Sequence, residues 1–321
     1  MGSLFRKKKI EGKTAEEWFD LGYKEKDPKK QIEYYSKCLK LDPKNAAAWF
    51  NKGLALHELG RYEEEIRCYD KALEIDPKDV DAWKNKGLAL YNLGKYEEAI
   101  RCFDKALEID PKNVLAWGAK GFVLGELGRY EEAIRCYDRM LEIDPKNAHA
   151  WVLKGVALDE LGRHEEAIRC FDKALDIDPR FADAWYAKGF VLDELGRYEE
   201  AIRCYDKALE IDPENEEVKN DKELAEEELR EQKRKAAERS AKESIELAYS
   251  KIKEAEKLGI NVSDAKDLYK KAILEFDNRK YEKAIEYAEK SKEIVEDEIR
   301  RYNHANEQIE ASKEIVKSIK N

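Results

Sequence analysis

The stretch "YEEAIRCFDKALEIDPKN", residues 96–113, decides the fold, because near-copies of it recur up and down the chain. Related copies end at Asp79, Asn147 and Asn215. Five tryptophans, and the glycines that follow them by four positions, keep a step of 34 residues: Trp49, Trp83, Trp117, Trp151 and Trp185 with Gly53, Gly87, Gly121, Gly155 and Gly189. A fixed period of this length indicates stacked copies of one supersecondary unit.

Each unit is predicted to be a helix, a tight turn and a second helix. Apolar and small residues return at helical spacing on either side of the segment "NLGKYEEA". Gly94 in that segment marks the end of the first helix, and Pro111 cannot continue the second. A single hairpin of this kind is apolar on two sides and cannot bury both alone. Neighbouring copies must therefore stack.

This pattern resembles the tetratricopeptide repeat, with Trp-x-x-x-Gly in the first helix and Gly-x-Tyr-x-x-Ala-Ile and Ala-Leu-x-x-Asp-Pro through the second. The resemblance implies an all-α fold, a right-handed superhelix of helix-turn-helix repeats. Five full copies cover residues 45–213. A sixth, N-terminal copy begins at Ala15 and is three residues short between Trp18 and Ile32, which predicts a tighter or distorted hairpin.

One position departs from the family pattern. The third residue after each tryptophan is usually apolar in the family, whereas in this chain it is a lysine: Lys52, Lys86, Lys120, Lys154 and Lys188. We expect the aliphatic stems to pack while the ammonium groups reach solvent or a carboxylate.

The sequence predicts three parts: a basic, flexible N-terminus (1–14), six repeat units with the first one shortened (15–214), and a helical C-terminal domain (215–321). The last part should open with a long helix over about 216–258, whose polar start caps the array. Gly259 is expected to end this helix and Ser263 to cap the next one. A final helix should then continue to about Lys320.

The final helix carries a coiled-coil-like seam. Two series of residues step by seven along it, one from Ala288 to Val316 and one from Ile285 to Lys313, and polar residues interrupt the second series. The favoured arrangement is an antiparallel three-helix bundle with helix 216–258. Pairing with another chain, which would give a homo-oligomer, and insertion into a groove are the alternatives.

The cysteines also follow the period. Cys68, Cys102, Cys136, Cys170 and Cys204 step by 34 residues. Equivalent positions in stacked hairpins are about 10 Å or more apart, too far for disulfides, which need Cα atoms within about 7 Å. They are predicted to be reduced packing residues of the second helices, as in a reducing cytosol.

Composition and motifs narrow the function. The net charge of −10 argues against nucleic acid as a partner, and no apolar run approaches membrane-spanning length, so no membrane partner is expected. The N-terminus lacks a signal-peptide core, which predicts a cytoplasmic protein. No phosphate-binding loop, nucleophile motif or Cys/His cluster is present, so we predict a non-enzyme without cofactor or metal.

The family resemblance implies that the first helices line a concave groove that binds partners. It points to positions two before, and one, five, eight and nine after each tryptophan. The apolar candidates are Phe50, Leu54, Leu88, Phe122, Val152, Val156, Tyr186 and Phe190, and the acidic ones are Glu126, Asp159, Glu160, Asp193 and Glu194. Such a surface suits a protein or peptide partner, an amphipathic helix or extended segment with apolar anchors and Lys or Arg.

Two other interpretations differ from this one. Some relatives bind acidic chaperone tails through a carboxylate clamp, and Asn51, Lys84 and Asn85 match it in part. The residues five after each tryptophan are apolar, however, and the groove has the wrong charge for an acidic tail. The alternative function is a structural protein that self-assembles through its C-terminal helices or the ends of the array.

Overall fold

The computed structural model describes residues 8–320. Within this range the chain forms fifteen α-helices and no strand, beyond one isolated bridge between Ile10 and Lys13. Twelve helices form six hairpins, which are numbered repeats one to six in chain order: α1 (Ala15–Lys24), α2 (Pro28–Leu41), α3 (Ala46–Glu58), α4 (Tyr62–Ile75), α5 (Val80–Asn92), α6 (Tyr96–Ile109), α7 (Val114–Glu126), α8 (Tyr130–Ile143), α9 (Ala148–Asp159), α10 (His164–Ile177), α11 (Ala182–Glu194) and α12 (Tyr198–Ile211).

The helix boundaries follow local chemistry. The side chain of Asn113 accepts a hydrogen bond from the backbone N–H of Ala116 at 3.0 Å and so caps α7. Gly94 adopts a φ of 72° after α5, a left-handed conformation that glycine reaches without steric cost. The carbonyl of Pro111 accepts a hydrogen bond from the indole Nε1 of Trp117 at 3.0 Å, which fixes the tryptophan to the preceding connection.

The two helices of each hairpin approach each other at the glycine that follows the tryptophan. A Cβ atom added to Gly87 would lie 2.6 Å from Cε1 of Phe103. The Phe103 ring is fully buried, as are the alanines around it. The glycine therefore lets the aromatic ring of the second helix lie directly on the backbone of the first.

Neighbouring hairpins stack through small residues and half-buried tryptophans. Ala106 and Leu107 of α6 pack on Ala116 of α7, with Trp83 and Trp117 beside them. The cysteines are buried and unpaired, as the spacing predicted. Burial raises the pKa of the Cys102 thiol to about 11, which keeps it in the unreactive protonated form.

From repeat three onward, the repeated lysine pairs with an aspartate sixteen residues earlier, in the second helix of the preceding repeat. Each Nζ–Oδ1 distance is 2.6 Å, in the pairs Lys86–Asp70, Lys120–Asp104, Lys154–Asp138, Lys188–Asp172 and Lys222–Asp206. The ammonium groups of repeats three to six also lie within 5.8 Å of the indole of their own tryptophan. These ion pairs supply a carboxylate partner for the predicted lysines of repeats three to six, and they join each of these repeats and α13 to the hairpin before it. The residue sixteen before Lys52 is Ser36, so this ladder of ion pairs does not extend to repeat one.

The array continues its register for one helix beyond repeat six. Lys222 lies at the start of α13 (Glu216–Lys257), and it occupies the ladder position 34 residues after Lys188. Val218 of the same helix is buried. The phenol of Tyr186 donates a hydrogen bond to Asp221 at 2.8 Å. The first turns of α13 thus take the place of a seventh first helix.

At the other end, the first repeat is shortened in its first helix. α1 has 10 residues, whereas α3 has 13. The indole of Trp18 donates to the carbonyl of Ile10 at 3.0 Å, so residues just before α1 are attached to the hairpin. The remainder of the predicted flexible N-terminus, residues 1–7, lies outside the described residues.

The chain divides into two compact units, one ending at Lys222 and the other beginning at Glu223. In the second, α14 (Ser263–Asp277) and α15 (Tyr281–Lys320) follow α13. Ala248 of α13, Ala272 of α14 and Ala288 of α15 meet in one buried cluster. The start of α15 therefore packs on α14 and on the end of α13, in the manner of a three-helix bundle.

One local detail of this unit was not as expected. Ser263 was predicted to cap α14, but it is the first residue of that helix, and Asn261 Oδ1 accepts from the N–H of Ser263 at 3.1 Å instead. The polar middle of α13 is helical throughout, so the single long helix predicted over about 216–258 is confirmed. Farther on, every side chain described between residues 300 and 318 is exposed, including Tyr302, Ile309 and Val316 of the seam.

Candidate binding groove

The first helices lie on the inner side of the array. In its middle, α5 contacts α7, α7 contacts α9 and α9 contacts α11, whereas the second helices of neighbouring repeats are farther apart. A stack whose first helices are closer together than its second helices curves toward the first helices. The surface that the first helices present on this inner side is the candidate groove.

Large apolar side chains on this surface recur with the repeat. The residue five after the tryptophan is Leu54, Phe122, Val156 or Phe190 in four of the repeats, with exposed fractions of 37%, 45%, 44% and 43%. The equivalent Leu88 is half-buried, as are the other predicted apolar residues, Phe50, Val152 and Tyr186. The predicted apolar strip thus consists of four exposed residues that alternate with half-buried ones.

The half-buried members pack into the array. Phe50 lies 5.7 Å from the ring of Tyr69, measured between ring centroids, and Val152 packs on the cluster around Ala174. Tyr186 uses its hydroxyl for the bond to Asp221, and burial followed by that bond raises its pKa. These side chains therefore form part of the packed groove wall and leave little surface for contact with a partner.

The junction between repeats three and four is aromatic. Tyr91 lies 5.6 Å from Tyr96 and 5.5 Å from Phe122, the latter in an edge-on arrangement. Partial burial and then the negative charge of Glu126 raise the pKa of Tyr91. A carboxylate near two aromatic rings is a suitable environment for an ammonium or guanidinium group.

The later junctions are acidic. At the junction of repeats four and five, the hydroxyl of Tyr130 donates to a carboxylate oxygen of Glu160 at 3.1 Å. Between repeats five and six, Asp159, His164 and Glu194 bring one ligand atom each to within 4.8 Å of one another. Glu126, Glu160 and Glu194 are exposed, whereas Asp159 and Asp193 are half-buried. The predicted acidic residues therefore lie beside the apolar strip in successive repeats.

The second repeat has a different polar group. His57, eight residues after its tryptophan, lies 3.1 Å from both carboxylate oxygens of Glu65. Glu65 is 1% exposed and occupies the position held by alanine in the next four repeats, for example Ala99. Burial raises the pKa of this carboxyl group, and the pairing with His57 opposes that rise.

Two contributors to the surface were absent from the predicted set. Leu115, two residues before Trp117, is 68% exposed, and Tyr91, eight residues after Trp83, forms the aromatic junction. Both positions belong to the periodic set that the family resemblance indicates, so the signal was present in the sequence. The grouping of Asp159, His164 and Glu194 needed coordinates, because its members come from three helices.

None of the described helices combines the length and the hydropathy needed to cross a bilayer.

Comparison with known proteins places this fold in a family. Family models described as tetratricopeptide or TPR repeats match residues 20–45, 34–67 and 102–135, 53–94, 80–113 and 182–215, and 119–180. Together these matches cover residues 20–215 apart from residue 181, more than half of the 321-residue chain. The chain belongs to the tetratricopeptide repeat family.

Individual relatives are more distant. An uncharacterized protein of Methanocaldococcus jannaschii is 55% identical over 38 residues, which is 12% of this chain and 44% of that protein. The APC/C hetero-tetramer Cut9–Hcn1 superposes with a TM-score of 0.51 at 19% identity, over 66% of this chain and 42% of the other. This likeness concerns the fold alone.

Two further solved structures align with lower scores. YrrB, described as a TPR protein with an unusual peptide-binding site, is 27% identical over 60% of this chain and 99% of its own, with a TM-score of 0.49. MamA from Desulfovibrio magneticus RS-1 is 27% identical over 53% of this chain and 97% of its own, also with a TM-score of 0.49.

Proposed function

We propose that this protein is a non-enzymatic interaction scaffold whose groove binds a partner segment carrying apolar and basic residues. The observation that supports this most directly is the periodic exposure of Leu54, Phe122, Val156 and Phe190 on one face of the first helices. Large apolar side chains that are exposed at the same position of successive repeats favour a binding surface.

The charge of the groove defines the partner further. Glu126, Glu160 and Glu194 follow the exposed apolar residues by four positions, one helical turn, in three successive repeats. A partner helix or extended segment with apolar anchors and flanking Lys or Arg matches both features. The six buried, unpaired cysteines support the cytoplasm as the proposed compartment.

The groove proposal is tested by selecting peptides from a displayed random library on the intact chain. The Phe122→Glu, Phe190→Glu double variant should lose at least tenfold affinity for the selected peptides, and these should be enriched in Lys or Arg near apolar residues. The matched control, Lys105→Glu with Lys173→Glu, introduces the same residue at the same spacing on exposed faces of α6 and α10. Equal loss in both variants, or none in the first, rejects the proposal.

A second candidate function is self-assembly through α15, and one observation favours it. The seam residues Ala288 and Val295 are buried within the bundle, whereas Tyr302, Ile309 and Val316 continue the same seven-residue step with exposed fractions of 36%, 51% and 52%. A heptad seam is the pattern that buries its apolar positions against another helix of the same kind. A second copy of α15 is the proposed occupant.

Sedimentation velocity over a range of concentrations tests this second candidate. The intact chain should sediment as an oligomer, and Ile309→Asp with Val316→Asp should yield monomers. The control places aspartate on the opposite face of the helix at the same spacing, at His304 and Ala311. A monomeric wild-type chain, or an oligomer that survives the seam variant, disproves self-assembly through α15.

A further inference from the structure

A histidine and two carboxylates converge where repeats five and six meet. Asp159 ends α9, His164 begins α10 and Glu194 ends α11, and their ligand atoms lie within 4.8 Å of one another. The Nδ1 atom of His164 is 2.7 Å from Oδ1 of Asp159. The Asp159 side chain is 17% exposed and that of His164 is 32% exposed, whereas Glu194 is an exposed residue. Two ligands are therefore held in place and the third reaches them from solvent.

The separations suit a small divalent cation. Zn²⁺ binds imidazole nitrogen and carboxylate oxygen at about 2.1 Å, so two atoms on one ion lie at most about 4.2 Å apart. The three ligand atoms lie within 4.8 Å of one another, so a shortening of at most about 0.6 Å brings every pair within this limit. Imidazole with carboxylates selects transition metals, because Mg²⁺ and Ca²⁺ prefer all-oxygen sites.

Comparison among the repeats shows that this combination is specific to one junction. The residue at the position of His164 is tyrosine in four other repeats: Tyr62, Tyr96, Tyr130 and Tyr198. The residue at the position of Asp159 is His57, Tyr91 and Gly125 in repeats two to four and is again an aspartate, Asp193, in repeat six. The histidine is therefore the member that distinguishes this junction, and the tyrosines at its position show that stacking does not require it.

We propose that Asp159, His164 and Glu194 bind a divalent transition-metal ion, with Zn²⁺ as the reference ion. A ring nitrogen of His164 and one oxygen from each carboxylate supply three ligands, and water or a partner group occupies the fourth position. The ion joins the first and second helices of repeat five to the first helix of repeat six. Binding fixes that junction and neutralises the acidic end of the groove. The site does not depend on the proposed groove ligand.

Isothermal titration of the full, reduced chain with ZnCl₂ tests the site. The wild type should show one saturable site, and His164→Tyr should weaken it by about 10- to 100-fold or more, since even loss of a group that only orients a ligand has an effect of that size. Glu194→Gln should act in the same direction. His164→Tyr introduces the residue that four other repeats carry, so its helix content should match that of the wild type.

His149→Gln is the matched control, because His149 lies in the same helix as Asp159 with its ring against Phe181. It should bind Zn²⁺ as the wild type does. A wild-type chain that shows no saturable site at millimolar zinc overturns the proposal. So does equal affinity in the wild type and the His164→Tyr variant, which would place the zinc elsewhere on the chain.

Discussion

Two glycines of one helix should respond differently to replacement by alanine. Gly121 and Gly125 both lie in α7. A Cβ atom at Gly121 would be 2.6 Å from Cε1 of Tyr137 and 3.1 Å from Cβ of Cys136, while a Cβ atom at Gly125 meets nothing within 4 Å. Carbon atoms in contact normally stay about 3.5–4.0 Å apart. Gly121→Ala therefore requires the Tyr137 ring, which is 3% exposed, to shift by about 1 Å within a close-packed interior.

The size of the effect follows from the difference between the two variants. Replacing glycine by alanine inside a helix stabilises it by about 1 kcal/mol, and this gain applies to both positions. Only Gly121→Ala adds the overpacking cost of about 1–3 kcal/mol. The free energy of unfolding of Gly121→Ala should thus be lower than that of Gly125→Ala by about 1–3 kcal/mol.

Urea unfolding followed by far-UV circular dichroism measures this difference. Gly125→Ala should unfold at a higher urea concentration than the wild type, and Gly121→Ala at a lower one than Gly125→Ala. If the two variants unfold together, the glycine is not what allows the close approach of α7 and α8. If Gly121→Ala is the more stable of the two, the packing described for every hairpin is wrong.

Three further predictions concern charge and protonation. Asp104→Ala removes the partner of Lys120 and should lower the free energy of unfolding by at most about 1 kcal/mol. The loss should be smaller in high salt, because the pair is partly exposed. Urea midpoints at two salt concentrations measure this loss, and a loss that does not depend on salt contradicts the prediction. Glu65→Ala should make the free energy of unfolding less dependent on pH. Burial raises the pKa of this carboxyl in the folded state, so its protonation stabilises the folded wild type at low pH, and this stabilisation is lost as pH rises through the raised pKa. Melting temperatures of the two chains across the acidic range measure the difference. Cys102, with a pKa of about 11, should react with a thiol reagent at pH 8 far more slowly in the folded chain than in urea, and equal rates would mean that the thiol is exposed.

The elements of the fold were predictable because each depends on a local, repeated signal. The turn glycines, the proline after each second helix and the capping asparagines all act within a few residues of their own position. Ser263 shows where such signals fail, since Asn261 lies two residues before it and both residue types can cap a helix.

The details of the groove depend on contacts that no local pattern contains. The partner of each repeated lysine lies in a different hairpin, and the sequence indicated only that a carboxylate would be suitable. The approach of Glu194 to His164 joins residues 30 positions apart. The groove residues remain a prediction from the family resemblance, although the structure shows which of them are exposed.

The lysine–aspartate ladder bears on how the length of such a chain can change. Every lysine–aspartate pair has the same Nζ–Oδ1 distance. The helix that follows the last hairpin supplies Lys222 just as another hairpin would. Duplicating or deleting a segment of 34 codons within the array leaves each remaining joint chemically intact. Gene recombination can therefore lengthen or shorten this protein without a new terminus having to evolve.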